Sequence, residues 1–501
     1  MKAIHRSIGF SAIDRYGKTL FQIVSIAILA RLLTPAEFGI YTTIYAFTAL
    51  GTVSYREFGG ANYLIQKSVL TEESIRTAFT VSLAISFAVA LLLFALRDIV
   101  AAFFAEESLK IGIAVAALNF LLTPFAGTMS ALLRRKMQFD VLALCNLTSS
   151  FIAAGMSVLL AALGYSFMSL IFGTLLGQAI LVAMLMASSR NLRIFLPRIQ
   201  AWREVIAFGL YSSAVTILNL LYLMSPQLIV ARVLDFTSVG LYGRALNITQ
   251  MFDRAVLEVL NPVIMPAIVA RTRAGEDLKP VYLRAVGLLT AVQWPFLIFT
   301  AMMADPIVRI LLGSAWLEAV PLVRMLCIAS LSLFAACLTY PVLVALGRVR
   351  DTFTATMISV PPSLLLVLAA SFFGLWAVAA AALVTLPFQM LVALYFVRAR
   401  LAIGSGELLR AVGKSAAVSL ACAAGCMVSV AFNGFDFAVS LLGFLCAGLG
   451  AGAGWLLGLA LTHHPLLREL QTLGNDMISG AARRYAQRGN ARAKEVVSDR
   501  I

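Results

Sequence analysis

Long apolar runs most constrain what this chain can fold into. Runs of about 20 residues, enough to cross about 30 Å of hydrocarbon as a helix, recur along the whole sequence. Of the 501 residues, 61% are hydrophobic and only 13% are charged, whereas roughly a quarter are charged in soluble proteins. Lipid offers no hydrogen-bond partner to the backbone, so each run must be helical. The sequence therefore predicts an all-α polytopic membrane protein.

We divide the apolar runs into about 14 transmembrane helices. No loop between them is long enough for a separate soluble domain. The predicted spans are 10–31, 38–56, 77–96, 111–133, 140–162, 165–187, 205–231, 238–262, 282–303, 317–346, 351–372, 375–397, 411–432 and 438–461.

The formal net charge of +15 is explained by topology rather than by a nucleic-acid partner. With both termini in the cytoplasm, most of the 39 lysines and arginines fall on the cytoplasmic side, as the positive-inside rule expects. We therefore predict cytoplasmic N- and C-termini. The few basic residues left outside are Arg31, Arg97, Lys110, Arg232 and Arg309.

One short stretch of sequence occurs twice. Residues 30–41 read ARLLTPAEFGIY and residues 231–242 read ARVLDFTSVGLY. The chain crosses the membrane six times between the copies, so both lie on one face and the two halves share an orientation. We therefore predict two six-helix lobes related by a pseudo-two-fold axis along the membrane normal, plus two extra helices. The predicted boundaries are 1–200 for the N-lobe, 201–400 for the C-lobe, 401–462 for helices 13 and 14, and 463–501 for a basic cytoplasmic tail.

The repeated motif has two interpretations. Thr34 and Glu37 have the spacing of a capping box, and Asp235 or Ser238 can cap in the second copy. Gly39 would allow close helix packing. The motif is therefore either a helix-capping hairpin or a direct substrate contact, and the residues leave both open.

Polar side chains cluster in predicted spans 1, 2, 7 and 8, which are the same helix pair in each half. A charge inside a span costs at least about 2.5–3.5 kcal/mol on insertion scales, so such residues suggest function. Polar faces on symmetry-related helices should meet, which predicts a wet, cationic cavity suited to phosphate. Its predicted binding cations are Arg15, Lys18, Arg56, Arg244 and Arg254, and its polar lining is Gln22, Thr48, Asn219, Asn247 and Gln250.

Three acidic residues lie beside these cations. Asp14, Asp253 and Glu258 are candidates for coupling to a proton or sodium gradient. Local ion pairs, Asp14 with Lys18 and Glu258 with Arg254, explain them equally well. The six cysteines and three histidines show no metal-ligand spacing, so we predict neither a metal nor a bound cofactor.

Two motifs resemble the polysaccharide transporter family of the multidrug/oligosaccharidyl-lipid/polysaccharide flippase superfamily. ARLLTPAEFGIY at 30–41 resembles that family's loop after helix 1, and ALLRRKMQFD at 131–140 resembles its loop between helices 4 and 5. The span count agrees, and the resemblance covers about residues 5–460.

The resemblance implies a function. It implies a Wzx-like flippase with two lobes in a V, which alternate between inward and outward openings. Its cargo would be a polyprenyl-pyrophosphate-linked oligosaccharide, moved across the bacterial inner membrane for lipopolysaccharide or exopolysaccharide synthesis. A polymerase and a chain-length regulator would be its pathway partners. In related lipid II flippases, arginines on helices 1, 2 and 8 line the cavity, and Arg15, Arg56, Arg244 and Arg254 lie on the corresponding helices. Helices 13 and 14 would form a groove for the lipid tail.

Two rival classes are less well supported. A drug antiporter of the same superfamily would want acidic residues deep in its cavity, whereas the deep charges here are net basic. A membrane polymerase or glycosyltransferase would want an Asp-x-Asp motif, a nucleotide-binding glycine loop or a large catalytic loop, and none is present. We therefore predict a transporter of an anionic cargo rather than an enzyme.

Overall fold

Helices form all the regular structure in the described part of the chain. The computed structural model describes residues 2–58, 61–67, 69–188, 192–199, 220–432, 434 and 440–472. Only the backbone is described at 2–16, 53–58, 61, 62, 66, 192, 258–263 and 349. No strand occurs within these ranges. This agrees with the requirement that a chain in lipid satisfies its backbone hydrogen bonds internally.

The helices follow one another with short connections. The part of the chain before residue 200 contains α1 (Lys2–Leu32), α2 (Pro35–Phe58), α3 (Ala61–Gln66), α4 (Glu72–Phe104), α5 (Ser108–Ala117), α6 (Asn119–Arg135), α7 (Phe139–Ala162), α8 (Met168–Ser188) and a 3₁₀ turn (Leu192–Phe195). The later part contains α9 (Leu220–Val233), α10 (Phe236–Thr249), a π-helix (Asp253–Leu257), α11 (Glu258–Arg273), α12 (Leu278–Met302), α13 (Ala304–Leu311), α14 (Ala319–Ser330), α15 (Ala336–Ala345), α16 (Val349–Ser371), α17 (Leu375–Leu401), α18 (Ser405–Ala431) and α19 (Leu441–Leu461). Two 3₁₀ turns, Ser314–Trp316 and Leu331–Leu333, flank α14.

Ten helical segments of the described residues are long and apolar enough to cross a membrane. They correspond to predicted spans three to six and nine to fourteen, and they confirm a multi-pass helical membrane protein. The other four predicted spans are the polar ones. Two of them are α1 and α2, one is described only as α9, and one is the run from α10 to α11. The total of fourteen stays a prediction.

The first compact unit contains Met1–Ile248, Ile307–Leu326 and Val360–Thr385. In this unit α7 and α8 pack through small residues. A Cβ atom on Gly173 would overlap the Ser157 hydroxyl, and Ser149 Oγ donates to the Gly177 carbonyl at 2.8 Å. Small residues let helices approach closely where lipid supplies no hydrophobic drive for association.

The second compact unit contains Thr249–Pro306, Cys327–Ser359 and Leu386–Ile501. Here α18 and α19 meet backbone to backbone. A Cβ on Gly425 would overlap the Gly450 carbonyl, and a Cβ on Gly450 would lie 2.5 Å from the Gly425 carbonyl. Trp455 of α19 also donates from Nε1 to the Ala291 carbonyl of α12 at 2.7 Å. The last two long helices are therefore held to α12 by close contacts.

The described part of the basic tail is anchored to this second unit. His464 is 3% exposed, and its Nδ1 accepts a hydrogen bond from the Leu466 backbone N–H at 3.1 Å. Ser415 Oγ lies 3.3 Å from His464 Nε2. Burial lowers the pKa of His464, and the nearby Lys414 ammonium lowers it further. Residues 473–501, with most of the tail's arginines, lie outside the described residues.

The two compact units divide the chain at places other than the predicted lobe boundary. The first unit continues past residue 200 to Ile248 and takes in two later segments. The physical reason is that the two motif copies pack together, as described below, and draw α9 and α10 into that unit. The lobe boundaries themselves stay a prediction.

The glycine contact between α18 and α19 gives a matched pair of variants. A Cβ on Gly454 would overlap the Ala421 carbonyl, whereas no atom lies within 4 Å of a Cβ on Gly452 two residues earlier. We expect Gly454→Ala to lower stability by about 1–3 kcal/mol through overpacking. Gly452→Ala should be neutral or gain up to about 1 kcal/mol of helix propensity. Thermal unfolding in detergent measures both, and equal midpoints for the two variants would contradict the packing argument.

Candidate functional site

Each copy of the repeated motif caps the helix that follows it. The Thr34 backbone N–H donates to Glu37 Oε2 at 2.7 Å, and the Glu37 N–H donates back to Thr34 Oγ1 at 3.4 Å. In the second copy the Ser238 N–H donates to Asp235 Oδ1 at 2.7 Å, so Asp235 fills the capping role. The helix-capping interpretation of the motif is confirmed in both halves.

The two motif copies also contact each other reciprocally. A Cβ on Gly39 would overlap the Phe236 carbonyl oxygen, and a Cβ on Gly240 would overlap the Pro35 carbonyl oxygen. Gly240 and Phe236 are the repeat equivalents of Gly39 and Pro35, each 201 positions on. The contact therefore has local two-fold symmetry, in which each glycine receives the first turn of the other hairpin. Close packing at Gly39 was predicted, and its partner was not.

An aromatic cluster of Trp316 and Phe38 packs against the first motif copy. Trp316 is fully buried, and its Nε1 donates to the Ala30 carbonyl at 2.7 Å. Phe38 packs edge-on against the Trp316 ring with centroids 5.3 Å apart. Arg31 donates from Nη2 to the Ile310 carbonyl at 3.1 Å. The segment around Trp316 thus holds the end of α1 and the start of α2 in place.

Arg244 lies directly against this cluster. Its guanidinium carbon is 3.9 Å from the centroid of the Phe38 ring, and the residue is only 8% exposed. It lies one helical turn beyond Gly240 on α10. A buried guanidinium stacked on an aromatic face keeps its fork of N–H donors in one plane, which suits a phosphate or pyrophosphate group. Of the predicted cations, Arg244 is the one with the most defined surroundings.

For the other predicted cavity residues, the structure gives only the burial of the side chain or a single hydrogen bond. On α1, Lys18 is partly buried and Gln22 is exposed. On α2, the Thr48 hydroxyl donates to the Tyr45 carbonyl at 3.0 Å, and Asn247 of α10 is partly buried. The side chains of Asp14, Arg15, Arg56, Asn219 and Glu258 lie outside the described residues. One shared cationic cavity stays a prediction.

The second unit contains a small cavity of about 90 Å³ with a mixed polar and apolar lining. Gln250 and Asp253, both predicted site residues, line it together with Thr249, Gln293 and Ser330. Asp253 begins the π-helix, and Arg254 follows it, partly buried, in the same turn. A π-helix inserted between α-helices often marks a functional site, and irregular backbone at membrane depth is tolerated where it lines a cavity. Among the described residues that line the cavity, the Asp253 carboxylate lies with amide, hydroxyl and apolar side chains.

Sequence reasoning missed two sets of residues here. Trp316 and Phe38 read as ordinary apolar residues of their segments, and nothing in their local pattern shows that they meet. Gln293 did carry a signal, because it is an amide in the middle of the otherwise apolar α12. Gln293 lies in predicted span 9, outside the repeated helix pairs whose polar faces predict the cavity.

The helices and their packing define a multi-pass helical membrane protein. The structure is similar to the lipid II flippase MurJ in an inward closed conformation, with a TM-score of 0.74 and 14% sequence identity, covering 92% of this chain and all of that one. At that identity the match establishes the fold alone. The predicted fold class, an all-α polytopic membrane protein, is confirmed.

A model of the family described as "Polysaccharide biosynthesis protein" matches residues 28–321, which include both motif copies and Trp316. The chain belongs to this family. It is 25% identical over 354 residues to the succinoglycan biosynthesis transport protein ExoT of Rhizobium meliloti, covering 69% of this chain and 70% of that one. It is 22% identical over 313 residues to the lipopolysaccharide biosynthesis protein WzxC of Escherichia coli, covering 62% and 63%. The predicted transporter class, rather than an enzyme, is confirmed.

The reciprocal contact predicts that a substitution at either motif glycine destabilises both hairpins. Gly39→Ala or Gly240→Ala forces a methyl group against the backbone of the other copy, so both hairpins should separate. Hydrogen–deuterium exchange should then rise in residues 30–41 and 231–242 alike. Gly243→Ala is the control on the same helix, since its nearest atoms would be 3.8 Å away. Exchange that rises only in the substituted copy would contradict a shared contact.

Proposed function

We propose that this protein is a flippase that moves polyprenyl-pyrophosphate-linked oligosaccharide units across the bacterial inner membrane by alternating access. The observation that carries the proposal is the buried Arg244 guanidinium, one turn behind the closed contact between the motif copies. A permanent cation at such depth is expensive unless it serves an anionic ligand or a partner. The family match and the relatives named for exopolysaccharide and lipopolysaccharide biosynthesis support this cargo.

The orientation completes the proposal. Both termini lie in the cytoplasm, and the two motif copies lie at the periplasmic end of their helices, as the distribution of Lys and Arg favours. A polymerase and a chain-length regulator on the periplasmic side would then receive the flipped unit. These partners and the sugar they handle are part of the proposal.

The mechanism follows from where the two glycines and Arg244 lie. With the hairpins in contact, the periplasmic end of the path is closed and Arg244 faces a protein interior. When the hairpins part, α10 carries Gly240 and Arg244 together, so the cation that binds the pyrophosphate becomes accessible as the closure opens. Arg15, Lys18, Arg56 and Arg254 would extend the cationic path on the remaining polar helices. The closure and the binding group are therefore joined through one rigid helix.

A strain lacking this protein should accumulate lipid-linked oligosaccharide in the inner leaflet and lose its surface polysaccharide. Arg244→Gln should restore about tenfold less polysaccharide than wild type or worse, because it removes charge-assisted hydrogen bonds worth about 1.5–3 kcal/mol. Arg244→Lys is the matched control, and it should restore an intermediate amount, since a point charge binds phosphate without the planar fork. The readouts are surface polysaccharide and membrane abundance.

Two results would contradict this function. Normal polysaccharide export in the deletion strain would exclude the proposed cargo. A loss of membrane abundance in Arg244→Gln that fully accounts for its lower export would make Arg244 a structural residue.

Ion coupling is the second part of the proposal. Asp253, the first residue of the π-helix, lines the cavity of the second unit, and transporters use carboxylates and unwound backbone carbonyls to hold sodium or protons. The same feature would suit an ion-coupled drug antiporter of the superfamily. The family match and the buried cation favour the anionic cargo over that alternative.

Asp253→Asn should therefore abolish the dependence of flipping on an ion gradient. Flipping by the reconstituted protein is measured in vesicles with a sodium gradient, a proton gradient or neither. Asp98→Asn is the control, because Asp98 does not line the cavity. Its Oδ1 pairs with Lys110 Nζ at 2.7 Å. If Asp253→Asn and wild type respond equally to both gradients, Asp253 is not the coupling residue.

A further inference from the structure

An apolar groove of about 520 Å³ lies in the first compact unit and shares no lining residue with the Arg244 cluster or the Asp253 cavity. Phe47 of α2, Val100 and Phe103 of α4, Leu228 of α9 and Leu368 of α16 form its walls. The volume is within the range of about 300–1,000 Å³ typical of ligand pockets. The groove is therefore large enough for a hydrocarbon chain. Its walls are formed by four different helices.

Among the described residues that line this groove, one carries a positive charge. Arg232 is in the last turn of α9, exposed, with its guanidinium carbon 5.2 Å from the centroid of the Phe103 ring. Within the described part of the chain, no carboxylate or carbonyl accepts a hydrogen bond from it. The Phe103 ring holds the guanidinium beside the groove and leaves its N–H donors for another acceptor.

Arg232 and its repeat equivalent, Arg31, make different contacts. Arg31 occupies the same motif position in the first copy, and its guanidinium donates to the Ile310 carbonyl at 3.1 Å. The first copy therefore uses its arginine to hold the fold, whereas the second presents it at an apolar groove.

We propose that the groove binds an anionic phospholipid of the bilayer, with one acyl chain against Phe103 and Leu228 and the headgroup phosphate on Arg232. An acyl chain alone gains little from the groove, because bulk lipid is equally apolar. Selection must therefore come from the phosphate. One basic residue near the membrane surface favours an anionic lipid by about fivefold. The assignment does not depend on the proposed cargo.

The full-length protein is reconstituted in nanodiscs containing equal amounts of phosphatidylglycerol and phosphatidylethanolamine, and native mass spectrometry measures the lipids that it retains. Wild type should retain phosphatidylglycerol about fivefold over phosphatidylethanolamine. Arg232→Gln should lose this preference, and Arg232→Lys should keep most of it. Leu228→Trp should fill the groove and reduce retention of both lipids.

Lys110→Gln is the matched control, since it removes a cation near the same end of α4 that already pairs with Asp98. It should leave the preference unchanged. The proposal is overturned if wild type shows no preference, if Arg232→Gln keeps it, or if Lys110→Gln abolishes it equally. It is also overturned if added polyprenyl phosphate displaces phosphatidylglycerol at equal concentration, because the groove would then serve the isoprenoid lipid. Unchanged melting temperature in each variant separates lipid loss from misfolding.

Discussion

The approach of two backbones at Gly39 and Gly240 is the constraint on which the rest of the first unit depends. Each glycine receives the first turn of the opposite hairpin, so neither position can carry a side chain without moving the other copy. Both helix ends must be capped locally before they can meet in this way, and the Thr34–Glu37 and Asp235–Ser238 bonds do so. Trp316 then fixes the first copy through the Ala30 carbonyl. The helix caps, the glycine contact and the Trp316 hydrogen bond therefore all hold the same two hairpins together.

The polar helices occupy places where the packed structure can tolerate them. Arg244 is shielded by Phe38, and the Thr48 hydroxyl is satisfied by its own helix. The π-helix begins at Asp253, which lines the cavity of the second unit. The apolar helices follow a simpler rule, and pairs such as α18 and α19 approach through glycines. The chain thus separates the residues that make it stable in lipid from those suited to an anionic cargo.

The sequence predicted what depends on nearby residues. Ten apolar spans could be predicted because length and composition are local properties, and the capping box because Thr34 and Glu37 are one turn apart. The partner of Gly39 could not be predicted, since packing between two equivalent turns has no signature in either turn. Trp316 meets Ala30 across 286 positions of sequence. The π-helix at Asp253 was also missed, because one additional residue in a turn leaves the apolar periodicity almost unchanged.

The symmetric contact consists of main-chain atoms on one side and glycine on the other. The contact requires that the two glycines carry no side chain, while the Thr34–Glu37 and Asp235–Ser238 caps and Trp316 hold the hairpins beside it. Equivalent residues outside these groups make different contacts in the two copies, as Arg31 and Arg232 do. The helical fold is shared with a solved structure at 14% sequence identity. Side chains elsewhere on these helices can therefore change without altering the main-chain contact at Gly39 and Gly240.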